Sequence, residues 1–519
     1  MHSHQFDGGI SQAPTLIIAE LLPIIDLFLH VQEKLYLRHS MCAKLTRLVM
    51  NNYFARNTMW KYRRFSMLLA GLVIILAAII LVAVTPRQDA HADTGDWTTF
   101  LGSNARTNFN AAETVINPST APNLALSWSH STKGSISAQP IVSNNVLYWG
   151  SWDGHERATN LKTKKTIWSK SLGITKDAQC HPTAAGVAST ATVANVSING
   201  QNTPVVFVGG GNAQFYALNA ATGAILWQQK LGVPPATFLW SSPAYYNGDV
   251  YEGVASFGDC PLVQGKVVQM DAVTGNILNT FNTVPNGCTG ATVWGSPTID
   301  ESAGTIYFGT GNAGNCKHEN LALALVELNA SDLSYVASWK VPNLKGDNDF
   351  GSTPTLFDAT INGNLHHMVG LVNKNRNYYA FDRTDIAAGP VWQDQISTAG
   401  DNISSSAWDG TTLYIAGNQT TINGTLCAGG LRAVNPADGS YLWEDCLNGN
   451  VQSSVMAVPG VAVVGVGTDM VVLNTADGST LFDYHLVNGH ATFLGAATIS
   501  NGALYMGNIN GTLYVFKPS

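Results

Sequence analysis

Residues 217–227 read ALNAATGAILW. Two short apolar runs flank Asn219-Ala-Ala-Thr-Gly223, a turn in which glycine supplies the positive φ that other residues resist, and the second run ends on Trp227. Related stretches recur: YWGSWDGHERATNLKTKKTIW (148–168), GKVVQMDAVTGNILNTF (265–281), ALVELNASDLSYVASW (324–339), YYAFDRTDIAAGPVW (378–392), LRAVNPADGSYLW (431–443) and VVLNTADGSTLF (471–482). A further copy, LYMGNINGTLYVF (504–516), stops early. Alternating strands, a tight turn in each unit and a spacing of roughly 40 to 60 residues fit blades arranged radially. The expected fold is all-β, an eight-bladed β-propeller of four-stranded antiparallel blades. An incomplete last blade leaves an open edge. NLALSWSHS (123–131) matches the outer strand of the repeat, so it is expected to pair with the final strands and close the ring. Trp168, Trp227, Trp339, Trp392 and Trp443 are read as packing between neighbouring blades.

Composition agrees with one large β unit. Only 12% of the 519 residues are charged and the net charge is -7, which disfavours a nucleic-acid surface or acidic partners. Residues 65–86, FSMLLAGLVIILAAIILVAVTP, form an uncharged apolar run long enough to cross a bilayer as a helix. Arg56, Lys61, Arg63 and Arg64 precede it, whereas Arg87, Asp89, Asp93 and Asp96 follow, so the N-terminus is expected in the cytoplasm. The expected organisation is a cytoplasmic segment (1–64), a transmembrane helix or signal segment (65–86), a linker (87–95) and the propeller (96–519). Two readings stay open: a single-pass membrane anchor with the propeller extracytoplasmic, or a secreted protein cleaved after Ala92, with Met59 as a start. Six cysteines (Cys180, Cys260, Cys288, Cys316, Cys427, Cys446) follow the apolar run, an even number in a compartment where disulfides persist. Cys427 and Cys446 flank one predicted hairpin and are the expected pair. There is no Cys-x-x-Cys-His for covalent haem and no zinc-ligand spacing.

The turn-and-Trp unit resembles the tryptophan-docking repeat of the pyrroloquinoline quinone (PQQ) dehydrogenases, the quinoprotein alcohol dehydrogenase-like superfamily, over residues 96–519. The subgroup it looks nearest to is the polyvinyl alcohol dehydrogenase-like proteins. WGSPTIDESAGTIYFGTGN (294–312) is similar to the family segment in which a Trp underlies the quinone and an Asn ligates Ca²⁺. The resemblance implies Trp294 as the stacking residue and Asn312 as a calcium ligand, an oxygen donor suited to a hard ion. DNDF (347–350) resembles the loop with the catalytic base, implying Asp349, which also lies beside the metal. NKNRNYYAFDR (373–383) resembles the segment whose cation bonds the quinone oxygens, implying Lys374. A carboxylate ligand is expected before GKVVQMDA, where FGDCPLVQG (257–265) offers Asp259. The family's adjacent-Cys pair over the quinone is absent, since AQCHPTAAG (178–186) holds one Cys followed by His181.

These residues together suit oxidation of an alcohol, which needs a base for the hydroxyl proton and an acceptor for the hydride. Taken singly, each has an ordinary reading: a packed aromatic, two turn residues and a solvated lysine. The resemblance implies an exported PQQ- and calcium-dependent oxidoreductase acting on a small or polymeric alcohol. Electrons would pass to a separate cytochrome or quinone. The alternative is a non-catalytic, membrane-anchored propeller that binds a protein or glycan. A third is a sensor or adhesion module. Convergence of Trp294, Asn312, Asp349 and Lys374 on one cavity separates the first from the others.

Overall fold

Asn219 shows how the repeat folds. Its side-chain Oδ1 accepts from the N–H groups of Ala221 and Thr222, both at 3.1 Å, and its carbonyl accepts from Gly223 N at 2.8 Å. The chain therefore reverses within five residues, with Gly223 at φ +68°. A Cβ on Gly223 would stand 2.7 Å from the ring of Trp168, so the glycine serves both the turn and a close contact. Trp168 belongs to the preceding repeat, and its Nε1 donates to Ala220 O at 2.8 Å. Trp227 docks likewise on Ala272 O, Trp392 on Pro436 O and Trp443 on Thr475 O. Each tryptophan thus pins its own blade to the turn of the next. Trp339 packs against Gly389 and the rings of Tyr379 and Phe381 instead.

The computed structural model describes residues 95–344, 346–486 and 491–519. They form eight antiparallel blades whose innermost strands begin at Ile141, Thr192, Ala244, Thr298, Thr355, Ala407, Met456 and Thr498. The last blade is completed from the front of the chain: strand Leu124–Ser131 pairs antiparallel with strand Thr512–Pro518, as the truncated final repeat predicts. The apolar segment 65–86 and Cys42 lie outside the described residues. Among the described residues no helix is long and apolar enough to cross a membrane.

The core lies between blades. Val205, Phe207 and Phe215 of the second blade meet Val250, Val254 and Met270 of the third in one cluster. Middle strands such as Phe215–Leu218 are buried on both faces and read as continuous apolar runs, whereas outer strands such as Ile225–Lys230 are largely exposed. Three disulfides form: Cys427–Cys446, the expected hairpin pair, Cys288–Cys316 and Cys180–Cys260.

One element has no counterpart in the repeat. Residues 97–110 run across the inner strands and touch every blade in turn. Trp97 pairs with Val142, and Thr98 O accepts from Val193 N. Asn104 reaches Tyr245 O and Ile299 N, Ala105 O accepts from Leu356 N, and Thr107 O from Trp408 N. Asn108 O accepts from Ala457 N, and Asn110 donates to Ile499 O. This strap lies across one end of the propeller axis and is anchored by Arg106, fully buried, which donates to Phe100 O, Thr99 Oγ1, Pro243 O and Pro297 O.

Burial is not uniformly favourable. Glu156 is fully buried in the first blade and neither of its carboxyl oxygens has a hydrogen-bond partner. Desolvation pushes this carboxyl well above its ordinary 4.5, against a smaller pull from Arg157. Below that pH both folded and unfolded chains carry the proton. Above it the unfolded carboxyl ionises while the folded one stays protonated, so stability falls as pH rises toward the folded pKa, by about 1.4 kcal/mol per unit. Glu156→Gln removes this fall. Denaturant unfolding of wild type and variant at pH 5 and pH 7 checks it: the wild type loses more stability between the two, and equal losses would contradict the assignment.

Candidate active site

The innermost strands are preceded by short, small-residue segments that converge on the axis and leave a cavity of about 530 Å³ whose lining includes Phe100 of the strap. Its lining includes Trp294, Asp349, Lys374, Asp259 and Asp347, contributed by the third, fourth and fifth blades and the loops between them. Of the residues implied by sequence, four line this cavity directly. The fifth, Asn312, is hydrogen-bonded to two of its carboxylates, 2.9 Å to Asp347 Oδ1 and 3.4 Å to Asp259 Oδ2.

Asp349 is the centre of the group. It is 4% exposed; Trp294 Nε1 donates to its Oδ2 at 2.8 Å, and Lys374 Nζ stands 2.8 Å from its Oδ1 as an ion pair. Burial raises its carboxyl to about 6, against the pull of Lys374. Burial alone would lower the Lys374 ammonium, but Asp349 and Asp347, the latter at 2.9 Å, outweigh it and hold it above its usual range. The ammonium also lies 5.3 Å from the centroid of the Trp294 ring, a cation–π distance. One aromatic plane, one cation and one carboxylate are therefore locked together by direct contacts.

Gly351 sets the aromatic plane. A Cβ there would stand 2.2 Å from Trp294 Cη2 and 2.7 Å from Ile403, so any larger residue displaces the indole. Across the cavity the wall is aromatic: Trp240 stacks on Phe257 with an interplanar angle of 9°, and Trp152 meets Trp240 edge-on. The Cys180–Cys260 bridge packs among these rings and joins the loop carrying His181 to the loop carrying Asp259. Asp259 sits at φ +57°, a conformation Asp tolerates better than most residues and one often found at functional sites.

The donor set also bears on calcium. Asn312 Oδ1 is buried and accepts no hydrogen bond, and Asp349 Oδ1 faces Lys374 without the alignment of one. The Asp259 carboxyl is pushed up by burial and by the nearby Asp347, despite its bond to Asn312. Buried oxygens lacking donors, beside carboxylates short of positive charge, fit a hard cation with oxygen ligands. Among the described residues no three His, Cys, Asp or Glu side chains form a metal-binding group by themselves, so such an ion would depend on the Asn312 amide.

Sequence reading missed several parts. Asp347 lies in the quoted DNDF stretch, but its contact with Lys374 and Asn312 is a loop geometry that residue types do not announce. The Cys180–Cys260 pairing joins segments 80 residues apart, and the aromatic wall brings Trp152 against Trp240 from another blade. The small-hydroxyl-Pro recurrence in SSPA (241–244), GSPT (295–298) and STPT (352–355) was a readable sign of the converging segments.

Comparison with known proteins places the fold. Residues 97–393 match the family model described as PQQ, glucose/ethanol/alcohol dehydrogenase, β-propeller domain. A polyvinylalcohol dehydrogenase of Pseudomonas sp. is 23% identical over 421 residues, covering 70% of this chain and 63% of the relative. The crystal structure of quinohemoprotein alcohol dehydrogenase from Comamonas testosteroni superposes with a TM-score of 0.64 at 18% identity, covering 82% of this chain and 81% of that one. BamB from Moraxella catarrhalis superposes with a TM-score of 0.51 at 17% identity, over 76% of this chain and 99% of that one. The chain spans less than two thirds of the length of the curated relatives it matches. The match over more than half of the sequence, on blades that build the cavity, decides the affiliation: the chain belongs to the PQQ family, the glucose/ethanol/alcohol dehydrogenase β-propeller domain.

Proposed function

We propose that this protein is an exported quinoprotein dehydrogenase that oxidises an alcohol or polyol and passes the electrons to a separate cytochrome or quinone. The observation that carries the reading is the contact set Trp294–Asp349–Lys374–Asp347–Asn312 around one cavity. Trp294 offers a flat face held by Gly351, and Lys374 places a cation over its ring. PQQ bound there would supply the two-electron acceptor. Asp349 takes the proton of the substrate hydroxyl, a role suited to a buried carboxylate with raised basicity. Asn312 Oδ1, Asp259 and Asp349 would hold the calcium ion. The aromatic wall of Trp152, Trp240 and Phe257 excludes water and packs against the hydrocarbon part of the alcohol. The likeness to polyvinylalcohol dehydrogenase supports a polyol as substrate.

Export is part of the proposal and is supported by the apolar segment 65–86 and three disulfides beyond it. Membrane anchoring and release after Ala92 are its two forms. A non-catalytic, membrane-anchored scaffold would share the fold, which BamB also resembles, but would have no use for the buried Asp349–Lys374–Trp294 contacts. Titration of the purified full-length protein with PQQ, with and without Ca²⁺, tests the reading. Saturable, calcium-dependent binding with dye reduction by alcohols, including polyvinyl alcohol, is expected. Absence of binding by folded protein would overturn it.

A further inference from the structure

The residue after the Asn or Asp that opens each repeat turn is uncharged in six copies: Leu161, Ala220, Ala272, Ala330, Pro436 and Thr475. Four of these supply the carbonyl on which a tryptophan docks. The fifth blade has Arg383 there, directly after Asp382. Its side chain is only 11% exposed, and Nη1 donates to Asp300 Oδ2 of the fourth blade.

Two further departures from the repeat flank this arginine. Six blades join their first two strands through two residues, whereas the fourth and the sixth, on either side of Arg383, use four, Glu301–Gly304 and Asp409–Thr412. Directly before the latter stands Trp408, on an inner strand rather than at the end of an outer one, half-buried with its ring centroid 5.8 Å from that of Phe357. Arg383, Glu301 and Trp408 all line one cavity of about 470 Å³, together with Ser103 and Asn104 of the strap. It shares no lining residue with the cavity around Trp294. Both cavities draw on the fifth blade, at opposite ends of strand Asn364–Val372. His367, near the start of that strand, lines the one, and Lys374, just past its end, lines the other, seven residues or about 20 Å away.

The polar groups of the second cavity are of two kinds. Asp300 is committed to Arg383 and to the N–H groups of Ser302 and Ala303. Asp358 is half-exposed, with His367 Nδ1 2.7 Å from its Oδ1, and Glu301 Oε1 accepts from Asn104 Nδ2 at 2.7 Å. Among the described residues, Asp358 Oδ2 and Glu301 Oε2 take no protein donor. In the opposite sense, Arg383 Nε and Ser103 Oγ are buried without a partner. An orphaned buried donor is costly unless something in the cavity accepts from it. Three carboxylates against one guanidinium and one imidazole repel an anion, and a simple cation cannot accept from Nε. Hydroxyl groups accept and donate at once, and the C–H face of a sugar ring packs on an indole.

We propose that this cavity between blades four, five and six binds a neutral saccharide. Trp408 is the stacking platform, Asp358 and Glu301 accept from sugar hydroxyls, and Arg383 Nε donates to one. The inference goes beyond the dehydrogenase reading and does not depend on it.

Maltotriose and cellotriose, uncharged glucose trimers that differ in linkage, are the probes, titrated calorimetrically into the full-length protein. Saturable binding of at least one is expected. Trp408→Ala should raise its Kd about tenfold, as loss of an aromatic contact requires. Because Trp408 also packs on Phe357 and its variant can fail to fold, Asp358→Ala at a half-exposed position is the second variant, with an expected rise of about fivefold. Unfolding curves on the same preparations establish that the variants are folded. Absence of binding by both trimers would overturn the proposal, as would binding unchanged in folded Asp358→Ala. Displacement of the bound sugar by PQQ would place it in the Trp294 cavity and would overturn it equally. So would saturable binding of spermidine with neither trimer bound, which would assign the carboxylates to a cation.

Discussion

Asp349→Asn is expected to lower alcohol-dependent turnover by about 10²- to 10⁴-fold, the range for loss of a positioned general base, while leaving the propeller folded. The amide keeps the size of the side chain and an oxygen for Trp294 Nε1, so the indole stays in place over Gly351. Lys374 keeps Asp347 as a partner at 2.9 Å, so the cation is not stranded. The loss should therefore fall on kcat more than on stability. Steady-state kinetics with unfolding curves on the same preparations separate the two, and turnover within a few-fold of wild type would remove Asp349 from the chemistry. Asp347→Asn is the comparison: its side chain is 62% exposed and touches Lys374 and Asn312 rather than the indole, so a smaller loss is expected.

Arg106→Ala should cost about 3–5 kcal/mol of stability, because it strands several buried carbonyls at once. The guanidinium holds Phe100 O and Thr99 on the strap to Pro243 O and Pro297 O of two blades. Without it, residues 97–110 keep their backbone pairings but lose the anchor in the middle. Hydrogen exchange should then quicken at the strap amides and at Val193, Ile299 and Leu356, which donate to it. Denaturant unfolding reads the magnitude. A loss below 1 kcal/mol would show that the strap is held by its pairings alone.

Local rules carry far in this chain. The Asn/Asp-x-x-x-Gly turns, the alternation that follows them and the tryptophan ending each unit establish blade, turn and docking contact from neighbours in sequence, because each is a short-range geometry. The truncated eighth copy even announces its missing strand, since an unpaired edge demands a partner and only 123–131 has the pattern. Trp294, Asn312, Asp349, Lys374 and Asp259 were readable as candidates from their motifs, and they do come together in the fold.

What residue types did not reveal are the relations that exist only once eight blades face one axis. The strap has no repeat signature, as its partners lie one per blade, from Val142 to Ile499. Asp347 becomes part of the site through loops that place it beside Lys374, and Cys180 finds Cys260 across 80 residues. The hydrogen bonds that link neighbouring blades near the axis, Thr190 N to Ser242 Oγ and Ser242 N to Ser296 Oγ, are invisible in any single unit, where their members are ordinary Ser and Thr before a strand. The repeating blade and the types of residue available for chemistry follow from residues close in the chain, because turns and strand alternation are local. Tertiary structure alone decided the buried charges, the orphaned oxygens and the axial cavity, because burial and convergence depend on closing the ring.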